Sequence, residues 1–153
     1  MTAFIGDYTA RVDAKGRIIL PSAFKKQMPP PVSDKFVVKK DIFERCLVLY
    51  PLDEWERMNS IIREKTNPYN KKHNEFLRGF YKGTAEVELD ANNRFLIQKR
   101  LLEVAGIEKE VVLAGQDGKI EIWAKDQYEK VSDGDDFAKL AESIMGGNLN
   151  TDE

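Results

Sequence analysis

The sequence predicts a mainly β protein with short helices, of the α+β class, built from two similar halves. Three observations favour this fold. Residues 12–20 resemble residues 89–97 at an offset of 77, and two later pairs of apolar segments follow at offsets of 75 and 73. These segments are short and rich in β-branched and apolar residues, as strands are. A length of 153 residues is also sufficient for one sizeable core.

The elements of the two halves follow the same order. Those of the first half are two strands in a hairpin, a short helix and a second hairpin, at residues 8–12, 17–20, 23–28, 36–39 and 47–50. Those of the second half are their counterparts, at residues 85–89, 94–97, 99–105, 111–114 and 119–123. Pro21 and Ser22 favour the start of the first short helix, and Gly106 favours the end of the second. Asp117-Gly118 is typical of a tight hairpin turn.

The sequence between the halves is predicted to be helical. Asp53 and Glu56 match the pattern that caps a helix start, and Asn67-Pro68 interrupts the helical periodicity. A second apolar stripe ends at Gly83. Its apolar residues, which we interpret as core and as packing between the halves rather than as a ligand site, are Phe76, Leu77, Phe80 and Tyr81.

The end of the chain combines apolar and acidic residues. Its apolar positions recur at helical spacing and are Phe137, Leu140, Ala141 and Ile144. Residues 132–153 carry one Lys against six acidic residues, whereas residues 1–131 carry 23 Lys and Arg against 20 Asp and Glu. The pattern fits either a docked helix or a solvated end. The acidic end also means that the net charge of −2 does not argue against an anionic partner.

The composition excludes several classes of protein. Cys46 is the only cysteine, which excludes an internal disulfide framework and favours a reducing, cytoplasmic environment. His73 is the only histidine, which leaves no His-rich metal site and no His-based catalytic triad. We therefore predict no metal, no cofactor and no small-molecule substrate. No apolar stretch approaches the roughly 20 residues of a membrane span, so no membrane partner is expected.

The most informative motif is D-x-x-x-R, which occurs once in each half as Asp13 to Arg17 and Asp90 to Arg94. An Asp at the start of a turn accepts backbone N–H groups through its carboxylate. Gly16, and Asn93 in the second copy, suit the left-handed position of a bulged hairpin. Asp and Arg could then form a simple surface ion pair.

Duplication favours a functional role for these arginines. A turn does not require Arg after it, and β-branched residues would suit a strand better. Both copies nonetheless have Arg, and the first adds Lys15 at the tip. Arg matches paired phosphate oxygens and the O6/N7 edge of guanine, and a β-ribbon can enter the major groove. The two hairpins therefore predict a nucleic-acid-binding edge on which both guanidinium groups share one surface.

These residues carry a family resemblance. The segments D-A-K-G-R-I-I-L-P and C-L-V-L-Y-P-L-D-E-W, with the second D-x-x-x-R, resemble the MraZ family of bacterial transcriptional regulators, and the resemblance extends from about residue 4 to about residue 131. It implies a fold related to the AbrB and MazE proteins, in which two tandem halves of one chain form a pseudo-twofold barrel. It also implies ring-like homo-oligomers, associated with the nucleoid, that bind direct repeats in double-stranded promoter DNA. The implied target is the division and cell-wall gene cluster, usually under repression.

The motif and the resemblance together define the predicted site and segments. The predicted DNA-binding residues are Asp13, Lys15, Arg17, Asp90, Asn92 and Arg94. The predicted segments are a first repeat at residues 7–54, a helical linker at 55–82, a second repeat at 83–126, and a C-terminal helix with an acidic tail at 127–153. Asn92 stands where the first copy has Lys15, so we expect the second turn to contribute less affinity.

Two other functions are compatible with parts of the sequence. Paired Asp residues on a pseudo-twofold axis suggest an aspartic protease dyad. The D-[ST]-G turn of those enzymes is missing, however, and a nearby Arg would keep each carboxylate ionised. We therefore predict that the chain is not an enzyme. The second alternative is a protein-binding module that grips a partner through its tail, as related antitoxins do, and salt dependence of binding would distinguish it from DNA binding.

Overall fold

A computed structural model describes residues 2–31, 33–131 and 134–146 of the chain. Its strands are β1 (Asp7–Arg11), β2 (Arg17–Ile19), β3 (Lys35–Lys40), β4 (Leu47–Pro51), β5 (Ala85–Glu88), β6 (Arg94–Leu96), β7 (Glu110–Gln116) and β8 (Lys119–Ala124). Its helices are α1 (Ser22–Lys26), α2 (Leu52–Lys65), α3 (Lys71–Tyr81), α4 (Lys99–Val104), α5 (Lys125–Tyr128) and α6 (Gly134–Ala141), the last followed by a π-helical segment, Glu142–Gly146. All strand pairs are antiparallel, which confirms the predicted α+β class.

The pairing of the strands is symmetric between the halves. The larger sheet has six strands in the order β1-β7-β8-β4-β3-β5, and β2 pairs with β6 in a separate two-stranded ladder. Exchanging each strand for its counterpart in the other half leaves this order unchanged. Hydrogen bonds repeat in the same way: the Val12 N–H donates to the Lys109 carbonyl and the Leu89 N–H to the Asp34 carbonyl, both at 2.8 Å. The structure therefore has pseudo-twofold symmetry.

Two of the four predicted hairpins are wrong. The pairs β3–β4 and β7–β8 form as predicted, the latter around Asp117 with its φ of 59°. In contrast, β1 pairs with β7 and β5 pairs with β3, while β2 and β6 pair with each other. The turns at residues 13–16 and 90–93 are thus corners between two sheets rather than hairpin tips. Strands of opposite halves are intertwined as a result.

One core lies between the ladder and the larger sheet. The inward residues of the ladder strands, Ile18 and Phe95, are fully buried with the inward residues of β4 and β8 in a single apolar cluster. Burial of a large apolar side chain contributes roughly 1.5–3 kcal/mol, so the ladder is fixed firmly in place. The ladder also contacts both edges of the sheet, β2 against β1 and β6 against β5. Full closure into the predicted barrel and the four segment boundaries stay predictions.

The linker helices pack on the outer face of the sheet. Trp55 of α2 stacks on Phe80 of α3 with ring centroids 6.1 Å apart, and contacts Tyr50 of β4 and Tyr81. The aromatic residues thus join the linker to the sheet. The predicted cap at Asp53 is wrong, because the helix already begins at Leu52 and Pro51 occupies the capping position without a side-chain bond. Within the described residues, none of the helices has the length and apolar character needed to cross a membrane.

Candidate nucleic-acid interface

The turn at residues 13–16 holds Arg17 through one carboxylate. Oδ1 of Asp13 accepts hydrogen bonds from the backbone N–H groups of Lys15 and Arg17, at 2.9 and 2.8 Å. Oδ2 accepts the Nε–H of Arg17 at 2.7 Å. Gly16 has a φ of 89°, so the chain turns through the left-handed conformation that the sequence predicts. The turn thereby fixes the arginine side chain as well as the backbone.

The second turn repeats this geometry with a different residue at the left-handed position. Oδ1 of Asp90 accepts the N–H groups of Asn92 and Arg94 at 2.8 and 2.9 Å, and Oδ2 accepts the Nε–H of Arg94 at 2.9 Å. Asn93 has a φ of 60°, a conformation that Asn tolerates better than most residues. The predicted Asp–Arg ion pair therefore forms in both halves.

Both carboxylates are held in the ionised form. The backbone N–H of Arg17 lowers the pKa of Asp13, and the Arg17 guanidinium and the Lys15 N–H act in the same direction. The N–H groups of Arg94 and Asn92, with the Arg94 guanidinium, lower the pKa of Asp90. An ionised carboxylate is a strong, fixed acceptor for the Nε–H of arginine. Each Asp is therefore a permanent anchor for its Arg near neutral pH.

The β2–β6 ladder places the two arginines on one exposed face. Arg17 lies opposite Leu96 and Ile19 lies opposite Arg94, so these four side chains share the outer face while Ile18 and Phe95 point into the core. Arg17 and Arg94 are diagonal neighbours, which lie about 7–8 Å apart in an antiparallel pair, with their Cβ atoms somewhat closer. Among the described residues their terminal Nη groups have no hydrogen-bond partner. The face therefore presents the terminal nitrogen atoms of two guanidinium groups at a spacing that the ladder fixes.

The tips of the two turns lie at opposite ends of this face. The Ile97 N–H donates to the Gly16 carbonyl, and the Leu20 N–H donates to the Asn93 carbonyl. Four strand residues of about 3.3 Å each separate Gly16 from Leu20, so the turns are roughly 13 Å apart. Lys15 and Asn92 are exposed at the two ends. A shared-proton dyad needs carboxylates roughly 3 Å apart, which this separation of Asp13 and Asp90 does not provide.

Comparison with known proteins places this architecture in a family. A sequence model described as "MraZ protein, putative antitoxin-like" matches residues 3–78 and 80–144. The chain belongs to the MraZ family. Similar relatives named transcriptional regulator MraZ occur in Christiangramia forsetii, 47% identical over 97% of this chain and 96% of the relative, and in Flavobacterium psychrophilum, 44% identical over 100% and 98%. A relative of the same name in Cytophaga hutchinsonii is 37% identical over 95% of this chain and 96% of the relative's length.

Two apolar residues of this MraZ-family chain complete the outer face and were missed by the sequence reasoning. Ile19 is 57% exposed and Leu96 is 52% exposed, although both lie in strands that bury their neighbours. On the four-residue outer face, Arg17 and Arg94 form one diagonal, and Ile19 and Leu96 form the other. Strict alternation in the two strands predicts that one of every two apolar residues faces outward, so the pattern could have identified them. The face is thus half cationic and half apolar.

Lys25 is a further residue that the sequence reasoning missed. Its Nζ donates to Oδ1 of Asn93 at 2.8 Å and lies 3.3 Å from Oδ1 of Asp34. The second turn, which lacks a lysine of its own at Asn92, therefore has a cation beside it. No signal in the sequence identifies Lys25, because 68 residues separate it from Asn93. Because Asp34 balances its charge, Lys25 contacts the second turn through Asn93 but adds little free positive charge to it.

A second group of potential ligands lies near the start of β4, where β4 pairs with β8. Asp41, Cys46 and Glu121 have ligand atoms within 4.8 Å of one another. Among the described residues, this is the group whose side chains are close enough to hold a metal ion together. Burial raises the pKa of the Cys46 thiol to about 12, and Glu121 and Asp41 add to the effect. Without a metal this thiol stays protonated, so a metal ion would have to displace its proton on binding. The absence of a metal stays a prediction.

Proposed function

We propose that this chain is a sequence-specific DNA-binding regulator of transcription whose contact surface is the outer face of the β2–β6 ladder. The observation that carries the proposal is the pair Arg17 and Arg94, anchored by Asp13 and Asp90 on one exposed face with free Nη groups. The names of the relatives support the same function. In this proposal the chain acts by binding rather than by catalysis, in the cytoplasm and at the nucleoid.

The face has the chemistry that major-groove recognition requires. An arginine whose Nε is occupied can still approach a guanine with its terminal nitrogen atoms, and this is the contact we propose for Arg17 and Arg94. The methyl group of thymine offers an apolar contact, for which Ile19 and Leu96 are exposed. A two-stranded ribbon such as this ladder fits a groove about 12 Å wide. Base recognition is therefore assigned to the four outer residues of the ladder.

The tips of the turns are assigned to the DNA backbone. Lys15 forms no ion pair with a described residue, so its ammonium group is available to a phosphate. Asn92, at the other end, can donate through its side-chain amide. Contacts to phosphates position a protein without reading the sequence. Lys15 and Asn92 would thus set the orientation of the ladder in the groove.

One subunit has too little uncompensated charge for tight binding. Asp13 and Asp90 balance Arg17 and Arg94, and Asp34 lies next to Lys25. Affinity would then come from several linked subunits that engage successive direct repeats at once. We propose that the chain binds as a homo-oligomer to such repeats in the promoter of its own division and cell-wall gene cluster, and that it acts there as a repressor.

A titration on DNA from upstream of the chain's own gene tests this function. We expect Arg17→Ala and Arg94→Ala each to weaken binding by about 1–3 kcal/mol per engaged site. Arg63→Ala is the matched control, because Arg63 is more exposed and lies on α2 away from the ladder. Equal binding by the folded double variant and by the parent protein would refute the assignment. In vitro transcription from the same promoter distinguishes a repressor from an activator, and varying the repeat spacing tests the oligomeric mode.

A further inference from the structure

A groove of about 680 Å³ lies between the end of β3 with the loop that follows it, helix α3 and helix α4. Two of its apolar lining residues, Phe80 and Leu101, are buried. Three others remain exposed to solvent, namely Ile42, Phe76 and Val104. A concave site of this volume with an apolar lining is typical of sites that bind small organic molecules. The groove therefore has room and apolar surface for the body of a ligand.

A glycine keeps one wall of this groove open. Phe76, Gly79 and Phe80 line the groove and lie on one face of α3, since they are three and four residues apart. A Cβ atom added to Gly79 would have no described atom within 4 Å. Packing among the described residues therefore does not require a glycine here, although glycine is a poor helix former. The space next to Gly79 is available to a ligand.

The groove has positive charge without matching negative charge. Its basic lining residues are Lys39, Lys40, Lys82 and Arg100. None of them forms an ion pair with a carboxylate in the part of the chain that the structure describes. The acidic lining residue is Asp41, whose Oδ2 accepts the backbone N–H groups of Phe43 and Glu44 in its own loop. A ligand with a negative charge would thus complement the groove.

Lys39 is the cation most closely joined to the apolar surface. It is only 4% exposed, although a buried lysine is rare unless it is paired. Its Nζ donates to the Lys40 carbonyl at 2.9 Å and lies 4.3 Å from the centroid of the Phe80 ring. Burial lowers the pKa of Lys39, because the charged form has lost much of its water. An anion bound next to this ammonium group would stabilise the charged form.

We propose that the groove binds a small amphipathic anion, an alkyl carboxylate or alkyl phosphate whose chain lies on the apolar surface and whose head group pairs with Lys39 and the other cations. Both head groups form charge-assisted hydrogen bonds with lysine and arginine. The ligand is bound without being chemically changed, so it is not a substrate. The proposal is independent of the proposed DNA-binding face, because none of the groove residues lies on the β2–β6 ladder.

Isothermal titration calorimetry of the full chain with decanoate, below the concentration at which it forms micelles, tests the site. We expect saturable binding of one decanoate per chain. Lys39→Met should weaken it by at least about tenfold, because the side chain keeps its length and loses its charge. Gly79→Leu should abolish it by filling the groove, and should keep the fold because leucine favours a helix more than glycine does. Lys35→Met is the matched control, since Lys35 is an exposed residue of the same strand outside the groove, and it should bind like the parent.

Two further ligands of the same chain length define the head group. Decyl phosphate should bind the same site, and the tighter of the two anions identifies the preferred head group. Uncharged decanol should bind at least about tenfold more weakly than either anion. If Lys39→Met fails to fold, Arg100→Gln at the same groove takes its place with the same expected direction.

Four results would overturn the proposal. The first is the absence of saturable binding of either anion. The second is unchanged decanoate affinity in Gly79→Leu, which would place the ligand elsewhere. The third is equal affinity for decanol and decanoate, as expected for an apolar surface that does not use its cations. The fourth is binding to vesicles of phosphatidylglycerol without binding to the soluble anions, as expected for a surface that contacts a membrane.

Discussion

Replacing both turn carboxylates by amides should change specific and non-specific DNA binding in opposite directions. In Asp13→Asn with Asp90→Asn, the side-chain oxygen can still accept the backbone N–H groups that shape each turn. The side-chain NH2 group then faces the Nε–H of Arg17 or Arg94, and two donors cannot bond, so the charge-assisted bond to each arginine is lost. Each arginine gains rotamer freedom, and each subunit loses two negative charges next to the proposed DNA surface.

The size of each effect follows from the geometry of the face. A well-placed bidentate arginine discriminates between bases by roughly five- to 150-fold, and the variant loosens two such arginines at once. We therefore expect the ratio of specific to non-specific affinity to fall by at least about fivefold. The freed positive charges should meanwhile steepen the dependence of log affinity on log salt by up to about two. Non-specific binding should become tighter at low salt.

Fluorescence anisotropy with an operator duplex and a scrambled duplex, over a series of salt concentrations, measures both quantities. The matched control is Asp53→Asn with Glu56→Gln, which removes two negative charges from exposed positions of α2 without touching the ladder. The control should raise binding to both duplexes equally. If the turn variant behaves like this control, with its specificity ratio unchanged, the carboxylates do not position the arginines and the reasoning fails.

Three further outcomes follow from the burial and the pKa shifts. Because the pKa values of Asp13 and Asp90 are lowered, their ionised forms stabilise the fold at pH values above the ordinary 3.8. This stabilisation is lost as the pH falls through the lowered pKa values. The unfolding temperature, measured from pH 7 to pH 2, should therefore depend less on acid in the double Asn variant. Because burial raises the pKa of Cys46 to about 12, a thiol reagent at pH 8 should label the native protein far more slowly than the protein in denaturant, and equal rates would contradict that burial. Phe95→Ala should lower the free energy of unfolding by about 3–5 kcal/mol in urea titrations. Leu96→Ser, on the opposite face, should change the free energy of unfolding by no more than about 0.5 kcal/mol and should weaken DNA binding. A reversal of these two effects would refute the orientation of the ladder.

Local features of this chain could be predicted because single residues determine them. Gly106 ends its helix with a φ of 69°, and Asp117 and Asn93 adopt the left-handed conformation that their turns require. The turn chemistry of Asp13 and Asp90 depends on neighbours within four residues. The local geometry of the candidate site residues was therefore accessible from the sequence, whereas the β2–β6 pairing that sets their positions was not. Their contact with DNA stays a prediction.

Features that depend on distant residues could not be predicted in the same way. The sequence of β1 and β2 fits a hairpin as well as it fits two strands in different sheets, because β1 has no buried residue that would fix its partner. Only the arrangement of the whole core selects pairing across the halves. The missed cap at Asp53 has a similar cause, because Pro51 pairs with Phe36 in the sheet and the chain turns into α2 directly after it.

The β2–β6 ladder connects the stability of the fold to the proposed function through the alternation of its strands. Ile18 and Phe95 on the inner face hold the ladder in the core, and Arg17 and Arg94 on the outer face stay in the register that these buried neighbours impose. Each half contributes one strand, so neither half alone can present the pair of arginines at its diagonal spacing. The duplication therefore has a direct physical consequence. A single unit offers one anchored guanidinium group, whereas the intertwined halves offer two on one rigid face. Two such groups are the minimum that the proposed function needs in order to read two positions of a DNA sequence at a fixed spacing.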